Sequence, residues 1–193
     1  MTLQLIYLNM DKIILTAILL IGLIGCSKKD DVQGSAQSNQ TTTNNSYEAN
    51  GVLIKSNTTA SAGLNKASNL LSVNLGEVVG NNVETLVLSL QNARVGTFAI
   101  KGDADILQPD YCTGGYTTGL VNDLTAYTSN ACNTTINPNL SGYSDGVLKI
   151  TKLDEVAKLV SGEFSFDACR INNGTIVKIR KGYFTDLPLL ITQ

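Results

Sequence analysis

The chain has 193 residues, of which 43% are hydrophobic, 16% charged and 6% aromatic, and its 14 Lys+Arg against 16 Asp+Glu give a net charge of −2. It contains no His and no Trp, which excludes Ser-His-Asp and Cys-His catalysis, zinc held by imidazole and a histidine pH switch. A slightly acidic balance lacks the basic face that nucleic acid requires, so no nucleic-acid partner is expected. No phosphate-binding glycine loop is present, and no cofactor is expected.

The first informative segment is residues 13–25, an uncharged run reading IILTAILLIGLIG. It is too short for a bilayer-spanning helix, which needs ~20 residues, and has the length of a signal-peptide core. It ends in Leu23-Ile24-Gly25-Cys26: an apolar residue three before a Cys, then a small residue directly before it. This resembles a bacterial lipobox. The resemblance implies cleavage after Gly25, a signal peptide over residues 1–25 and a diacylated Cys26 that partners the membrane. Two or more acyl chains hold firmly, since each buried CH₂ contributes ~0.8 kcal/mol and a single chain is marginal. The following Lys29, Asp30 and Asp31 resemble the surface-export signal of Bacteroidetes lipoproteins. The expected location is therefore the outer membrane, facing the cell surface or the periplasm.

Residues 32–50 are dominated by Gln, Ser, Thr, Asn and Gly, with Tyr47 the only aromatic. Such a segment cannot bury enough apolar area to offset its ordering entropy. The expected organisation is a lipidated Cys and flexible tether over 26–49 and a single β-rich domain over 50–193. From Gly51 on, the hydrophobic pattern has period 2. Leu71, Val73 and Leu75 share one face of a strand, as do Leu86, Leu88 and Leu90, Phe98 and Ile100, Leu148 and Ile150, and Phe164, Phe166 and Ala168. Residues 175–184 alternate Val177, Ile179 and Lys181 against Ile176, Lys178 and Arg180. Alternation of this kind marks half-buried antiparallel strands. Gly80-Asn81-Asn82, Ser144-Asp145-Gly146 and Asn172-Asn173-Gly174 supply turns, the last the strongest hairpin signal. Residues 153–160 (LDEVAKLV) predict one short helical connection, with Asp154 and Glu155 at its favourable N-terminal end. Residues 109–146, rich in Tyr, Thr, Asn and Gly, predict long loops with one or two short strands, one over 119–127. The fold class is all-β, an antiparallel β-sandwich or open β-barrel of about eight to ten strands.

Within this pattern, Gly146, Ile150, Thr151 and Asp154, then Ser161, Gly162, Phe164 and Phe166, then Gly182 and Phe184 follow one another in order. This resembles a family of uncharacterised Bacteroidetes lipoproteins that carry a domain of unknown function. The resemblance implies an all-β fold and a lipid anchor, and it brings no catalytic motif.

Four cysteines are present, and lipidation of Cys26 leaves Cys112, Cys132 and Cys169 in an oxidising compartment. One bridge and one free thiol follow. Cys112–Cys132, worth ~3 kcal/mol of loop closure, is the preferred pair because both lie in the Tyr/Thr/Asn-rich insert; Cys132–Cys169 is the rival. Asp103, Asp105 and Asp110 form a charged turn without the Gly and closing Glu of a calcium loop. Asp154/Glu155 and Glu163/Asp167 are the carboxylate pairs from which a hydrolase would be built. Tyr111, Tyr116, Tyr127 and Tyr143 cluster in the loop-rich region, with the Tyr/Asn/Thr composition of polar recognition surfaces. The expected function is a non-enzymatic binding or accessory role, with a glycan or an envelope protein as partner. The alternatives are a lipocalin-like carrier of a small apolar ligand and a carboxylate-dependent hydrolase.

Overall fold

The computed structural model describes residues 45–56, 60–102, 109–138, 140, 142–171 and 173–193; Cys26, Lys29, Asp30, Asp31, Asp103 and Asp105 lie outside them. Eleven strands follow in order: β1 (Ser46–Ala49), β2 (Val52–Lys55), β3 (Ser61–Asn65), β4 (Leu70–Val79), β5 (Asn82–Gln91), β6 (Gly96–Ile100), β7 (Cys112–Leu120), β8 (Asp123–Thr128), β9 (Gly146–Asp154), β10 (Leu159–Cys169) and β11 (Ile176–Thr192). Among the described residues the fold is all-β, with a single 3-10 turn at Ser129–Ala131. Pairing runs β11–β3–β4–β5–β7–β8–β10 and returns to β11, with β1 and β2 added to β11 and β9 and β6 added to β10. The β8–β10 seam is a single bridge, Thr128 to Cys169, so the sheet curls almost onto itself around one core. The β3–β11 pair is parallel.

The period-2 residues fill that core. Leu71, Val73, Leu75, Leu86, Leu88, Leu90, Leu148 and Ile150 are all buried. Three phenylalanines occupy its centre, and each ring lies over a glycine of another strand. A Cβ on Gly182 would stand 2.2 Å from the Phe164 ring, one on Gly162 2.6 Å from Phe184 and one on Gly114 2.5 Å from Phe166. Gly162 is directly opposite Phe184, and Phe164 directly opposite Gly182, so β10 and β11 exchange ring for notch twice.

Just beyond the Phe164–Gly182 pair β11 carries an extra residue. Phe164 faces Gly182 but Phe166 faces Ile179, a bulge at which Lys181 adopts φ 49°. The expected alternation of Val177, Ile179 and Lys181 therefore breaks: the first two are buried, while Lys181 turns outward and Gly182 takes the inward place. A second bulge lies at Asp186, φ 48°, where Gly162 faces Phe184 but Val160 faces Leu187.

Four expectations are corrected. Residues 155–158 form a turn, not a helical connection: Asp154 Oδ1 accepts from the amides of Val156 and Ala157 at 3.1 and 2.8 Å, and Lys158 adopts φ 55°. An Asx turn of this kind competes with the helix start the acidic residues suggested. The tether does not run to residue 49, because Ser46–Ala49 is β1, paired on both sides, and Tyr47 is wholly buried. The stretch expected as long loops with one or two short strands, one over 119–127, does hold two strands, but they are β7 and β8, joined by a turn at Val121-Asn122 inside the expected strand; the glycines read as loop, yet Gly114 is the notch for Phe166.

The preferred disulfide is the fourth. Cys132 bonds Cys169, not Cys112. Cys112 shares the inward face of β7 with Gly114 and Tyr116 and is buried as a free thiol. The chain leaving β8 at Thr128, itself paired with Cys169, makes the 3-10 turn and brings Cys132 beside β10. Leu140, Tyr143 and Ile176 pack against that bridge. Asp167 anchors the same insert: Arg180 Nη2 lies 2.5 Å from one carboxylate oxygen, and the Ser144 amide donates to the other at 2.8 Å.

Non-reducing peptide mapping will accordingly join the Cys132 and Cys169 peptides and leave Cys112 unlinked. Closing a loop with a sequence separation of 37 contributes about 4 kcal/mol in the chain-entropy model, lost on reduction. Burial pushes the Cys112 thiol up to about 12, so it will resist iodoacetamide at about pH 8 in the folded protein and react once unfolded. A Cys112–Cys132 peptide would contradict this arrangement.

Candidate functional site

The register that turns Phe164 and Phe98 inward turns a second row outward. Thr97, Lys149, Glu163 and Tyr183 pair in sequence across β6, β9, β10 and β11. With Val147, Ser165 and Lys181 they line a groove of about 550 Å³ on the outer face of the sheet. Lys149 Nζ lies 3.8 Å from Glu163, and Lys181 Nζ lies 2.9 Å from Glu48 on β1. The Lys149–Glu163 pair and the Lys181 ammonium face solvent, so they are easily exchanged for contacts with a ligand. Tyr183 is 41% exposed, which leaves an aromatic face beside one carboxylate and two ammonium groups. The groove therefore offers stacking, hydrogen-bond acceptance and hydrogen-bond donation within one row.

A second polar group points inward at the end of β4, β5 and β7. Glu77 lies directly across from Glu84, and Glu84 from Thr118. Two carboxylates in that position repel. Tyr116 donates to Glu84 Oε2, and Thr118 donates to Glu84 Oε1 at 2.7 Å. Tyr47 meets Tyr116 edge-on with ring centroids 6.3 Å apart, and its buried hydroxyl has no partner among the described residues. Burial first, and the Glu84 hydrogen bond second, hold the Tyr116 phenol well above its ordinary value of 10.0. Burial and the neighbouring Tyr116 and Glu84 do the same for Tyr47.

The four expected tyrosines do not form one surface. Tyr116 is buried and packs with Tyr127, centroids 6.1 Å apart. Tyr111 accepts from Asn130 Nδ2 at 2.7 Å, and Tyr143 packs beside the Cys132–Cys169 bridge. The carboxylate pairs do not assemble either. Glu163 is on the groove, whereas Asp167 is committed to Arg180 and Ser144; four residues along one strand separate them by roughly 13 Å, beyond the span glycosidase acids use. Asp154 closes its turn, Glu155 pairs with Lys66 at 2.8 Å, and Asp110 pairs with Arg94 at 2.6 Å. Among the described residues no three Cys, Asp or Glu side chains are grouped to hold a metal ion. Tyr183, Lys149 and Lys181 escaped the sequence reading; the signal for Lys149 was its outward place between the inward Leu148 and Ile150, whereas the bulge at Lys181 conceals the faces of Lys181 and Tyr183.

Residues 49–188 match the family model described as a domain of unknown function, DUF6252. The chain belongs to that family. No curated protein and no solved structure matches it. The DUF6252 segment takes in the groove, the Phe–Gly pairs and the inward carboxylates, so these are features of the family's domain in this chain.

The neutral Tyr47 and Tyr116 phenols have a pH consequence. Their contribution is fully present below the unfolded value of about 10 and is lost as pH rises from there towards the raised folded values, because the unfolded chain then releases protons the folded one retains. Denaturant midpoints should fall above pH ~10, and less steeply in Tyr47→Phe and Tyr116→Phe. Equal slopes in all three proteins would contradict the assignment.

Proposed function

We propose that the protein is an outer-membrane lipoprotein, anchored through an acylated Cys26, whose domain is a non-enzymatic binding module for a glycan. The lipobox-like Leu23-Ile24-Gly25-Cys26 supports the anchor, and Lys29-Asp30-Asp31 supports display on the cell surface rather than towards the periplasm. The observation that carries the binding reading is the row Thr97–Lys149–Glu163–Tyr183. A sugar ring presents C–H faces that stack on an aromatic side chain and hydroxyls that bridge a carboxylate and an ammonium group. An envelope-protein partner is the second reading, favoured by edge strand β2, where Val52 and Leu53 are exposed and one backbone edge is open. The carrier and hydrolase readings lack a supporting observation: Phe164, Phe166, Phe184 and Tyr47 fill the interior, and no acid pair faces across the groove.

Calorimetry of the full chain against a panel of neutral and acidic oligosaccharides tests this. At least one should bind, Tyr183→Ala should weaken it roughly tenfold, about 1.4 kcal/mol, and Glu163→Gln should weaken it without altering thermal stability. Mass spectrometry of the native N-terminus should show an acylated Cys26. Absence of any sugar binding, or binding indifferent to Tyr183→Ala, would sink the glycan reading; an unmodified Cys26 would sink the anchor.

A further inference from the structure

At the end of the domain that holds Glu77 and Glu84, two hairpin tips lie side by side. Val79 pairs with Asn82 around Gly80-Asn81, and Leu120 pairs with Asp123 around Val121-Asn122. The Val121 amide donates to the Asn81 carbonyl at 3.0 Å and locks one tip to the other. On the outer face Val78, Val83, Gly119 and Leu124 stand in register across β4, β5, β7 and β8. Val79 and Leu120 stand one position further along on the opposite parity, in a row with Asn82 and Asp123, and Val121 lies in the β7–β8 turn, so apolar side chains surround the tips. Val78, Val79, Leu120, Val121 and Leu124 are 45–63% exposed. One row further in, the outer face changes to Gly76, Thr85, Thr117 and Ala126, so the apolar character is confined to the tips. Val156 and Ile171, also exposed, stand singly on other turns.

The chain enters the domain at the same end. The Ser56 amide donates to the Asn45 carbonyl at 2.9 Å, and Ser56 Oγ both accepts from the Gly76 amide at 2.6 Å and donates to its carbonyl at 3.1 Å. Gly76 lies three residues, about 10 Å of strand, from Val79. Residues 27–44 join Cys26 to Asn45, a span that cannot exceed roughly 70 Å. A lipid at Cys26 would thus tether the domain through this end, within reach of a bilayer.

We infer that the paired β4–β5 and β7–β8 tips are a membrane-docking edge that inserts Val78, Val79, Leu120, Val121 and Leu124 into the lipid interface. Exposed aliphatics gathered at one end are the surface such insertion needs. Charge sets the kind of lipid. Within 76–85 and 117–126 the charged residues are Glu77, Glu84 and Asp123, with no Lys or Arg. Docking is therefore apolar, indifferent to salt on zwitterionic lipid, and weaker on anionic headgroups at low salt. The inference rests on the lipid-anchor reading for its choice of occupant.

The test uses the full chain with its native N-terminus, reconstituted in phosphatidylcholine vesicles and nitroxide-labelled at Leu124→Cys or at Val156→Cys. Collision with oxygen, which partitions into lipid, is compared with collision with an aqueous nickel chelate. The label at 124 should favour oxygen several-fold and the label at 156 the chelate. Adding Val79→Asp and Val121→Asp should return the label at 124 to the aqueous ratio, while circular dichroism stays unchanged. An aqueous label at 124 in the parent chain overturns the inference. So does a label shielded from both agents whose spin–spin broadening disappears on dilution with unlabelled chain, since a second copy then covers the tips. N-terminal mass separates the two readings. Acylated Cys26 with an aqueous tip leaves the anchor standing and removes the docking edge. Unmodified Cys26 with a lipid-exposed tip does the reverse.

Discussion

The two ring-into-notch pairs between β10 and β11 set the geometry on which the rest of the molecule depends. Phe164 needs the space a side chain at 182 would occupy, and Phe184 needs the space at 162. Slipping the strands by one residue would bring each ring against a side chain and turn every inward group outward. The bulge at Lys181 lies between the notch for Phe164 and the inward Ile179, and without it one of the two would face solvent. Phe166 extends the arrangement across the core, because its notch, Gly114, belongs to β7 rather than β11. One β10 segment thereby holds both flanks of the curled sheet. Tyr47, with its ring centroid 6.3 Å from Phe164, closes β1 over the same centre.

The outer face follows from that register. With Phe98, Leu148, Phe164 and Gly182 committed inward, Thr97, Lys149, Glu163 and Tyr183 have only the outward side, and they fall into one row because the four strands pair without offset there. The groove is thus the reverse side of the core. The opposing carboxylates Glu77 and Glu84 continue the inward rows of β4 and β5 past the last core leucines, Leu75 and Leu86, where the interior reaches the end of the domain and tyrosine and threonine hydroxyls replace packing.

Much of this was legible in the residues. Period-2 alternation placed the faces of β4, β6, β9 and β10 correctly, because one face of each strand is buried and the pattern has to follow; in β5, where Val87 also offered an apolar face, the structure selects Leu86, Leu88 and Leu90. Phe164 and Phe166 share an inward face on the same ground. The failures have local causes. Gly114, Gly115 and Gly119 in a Thr- and Tyr-rich stretch signal a loop when only local preference is weighed, whereas Gly114 is required by a phenylalanine about fifty positions away. Asp154 and Glu155 look like a helix start, yet the Asp154 carboxylate finds the amides of a tight turn first. The disulfide was misassigned because loop length says nothing about which face a cysteine occupies; Cys112 has inward parity and Cys132 arrives outside β10. Tyr183 went unnoticed because a residue two positions past a bulge cannot be assigned to a face until the bulge is known.

The central claim, that Phe164 and Phe184 specify their glycines, is tested most directly by a double-mutant cycle on the Phe164/Gly182 pair. Gly182→Ala alone should destabilise the domain by about 1–3 kcal/mol through overpacking. In a Phe164→Leu background, where the ring edge is gone, the same substitution should cost less by about 1 kcal/mol or more, a coupling expected of residues in contact. If the two substitutions add within about 0.3–0.5 kcal/mol, the ring does not depend on the notch, and the register must be held by something else.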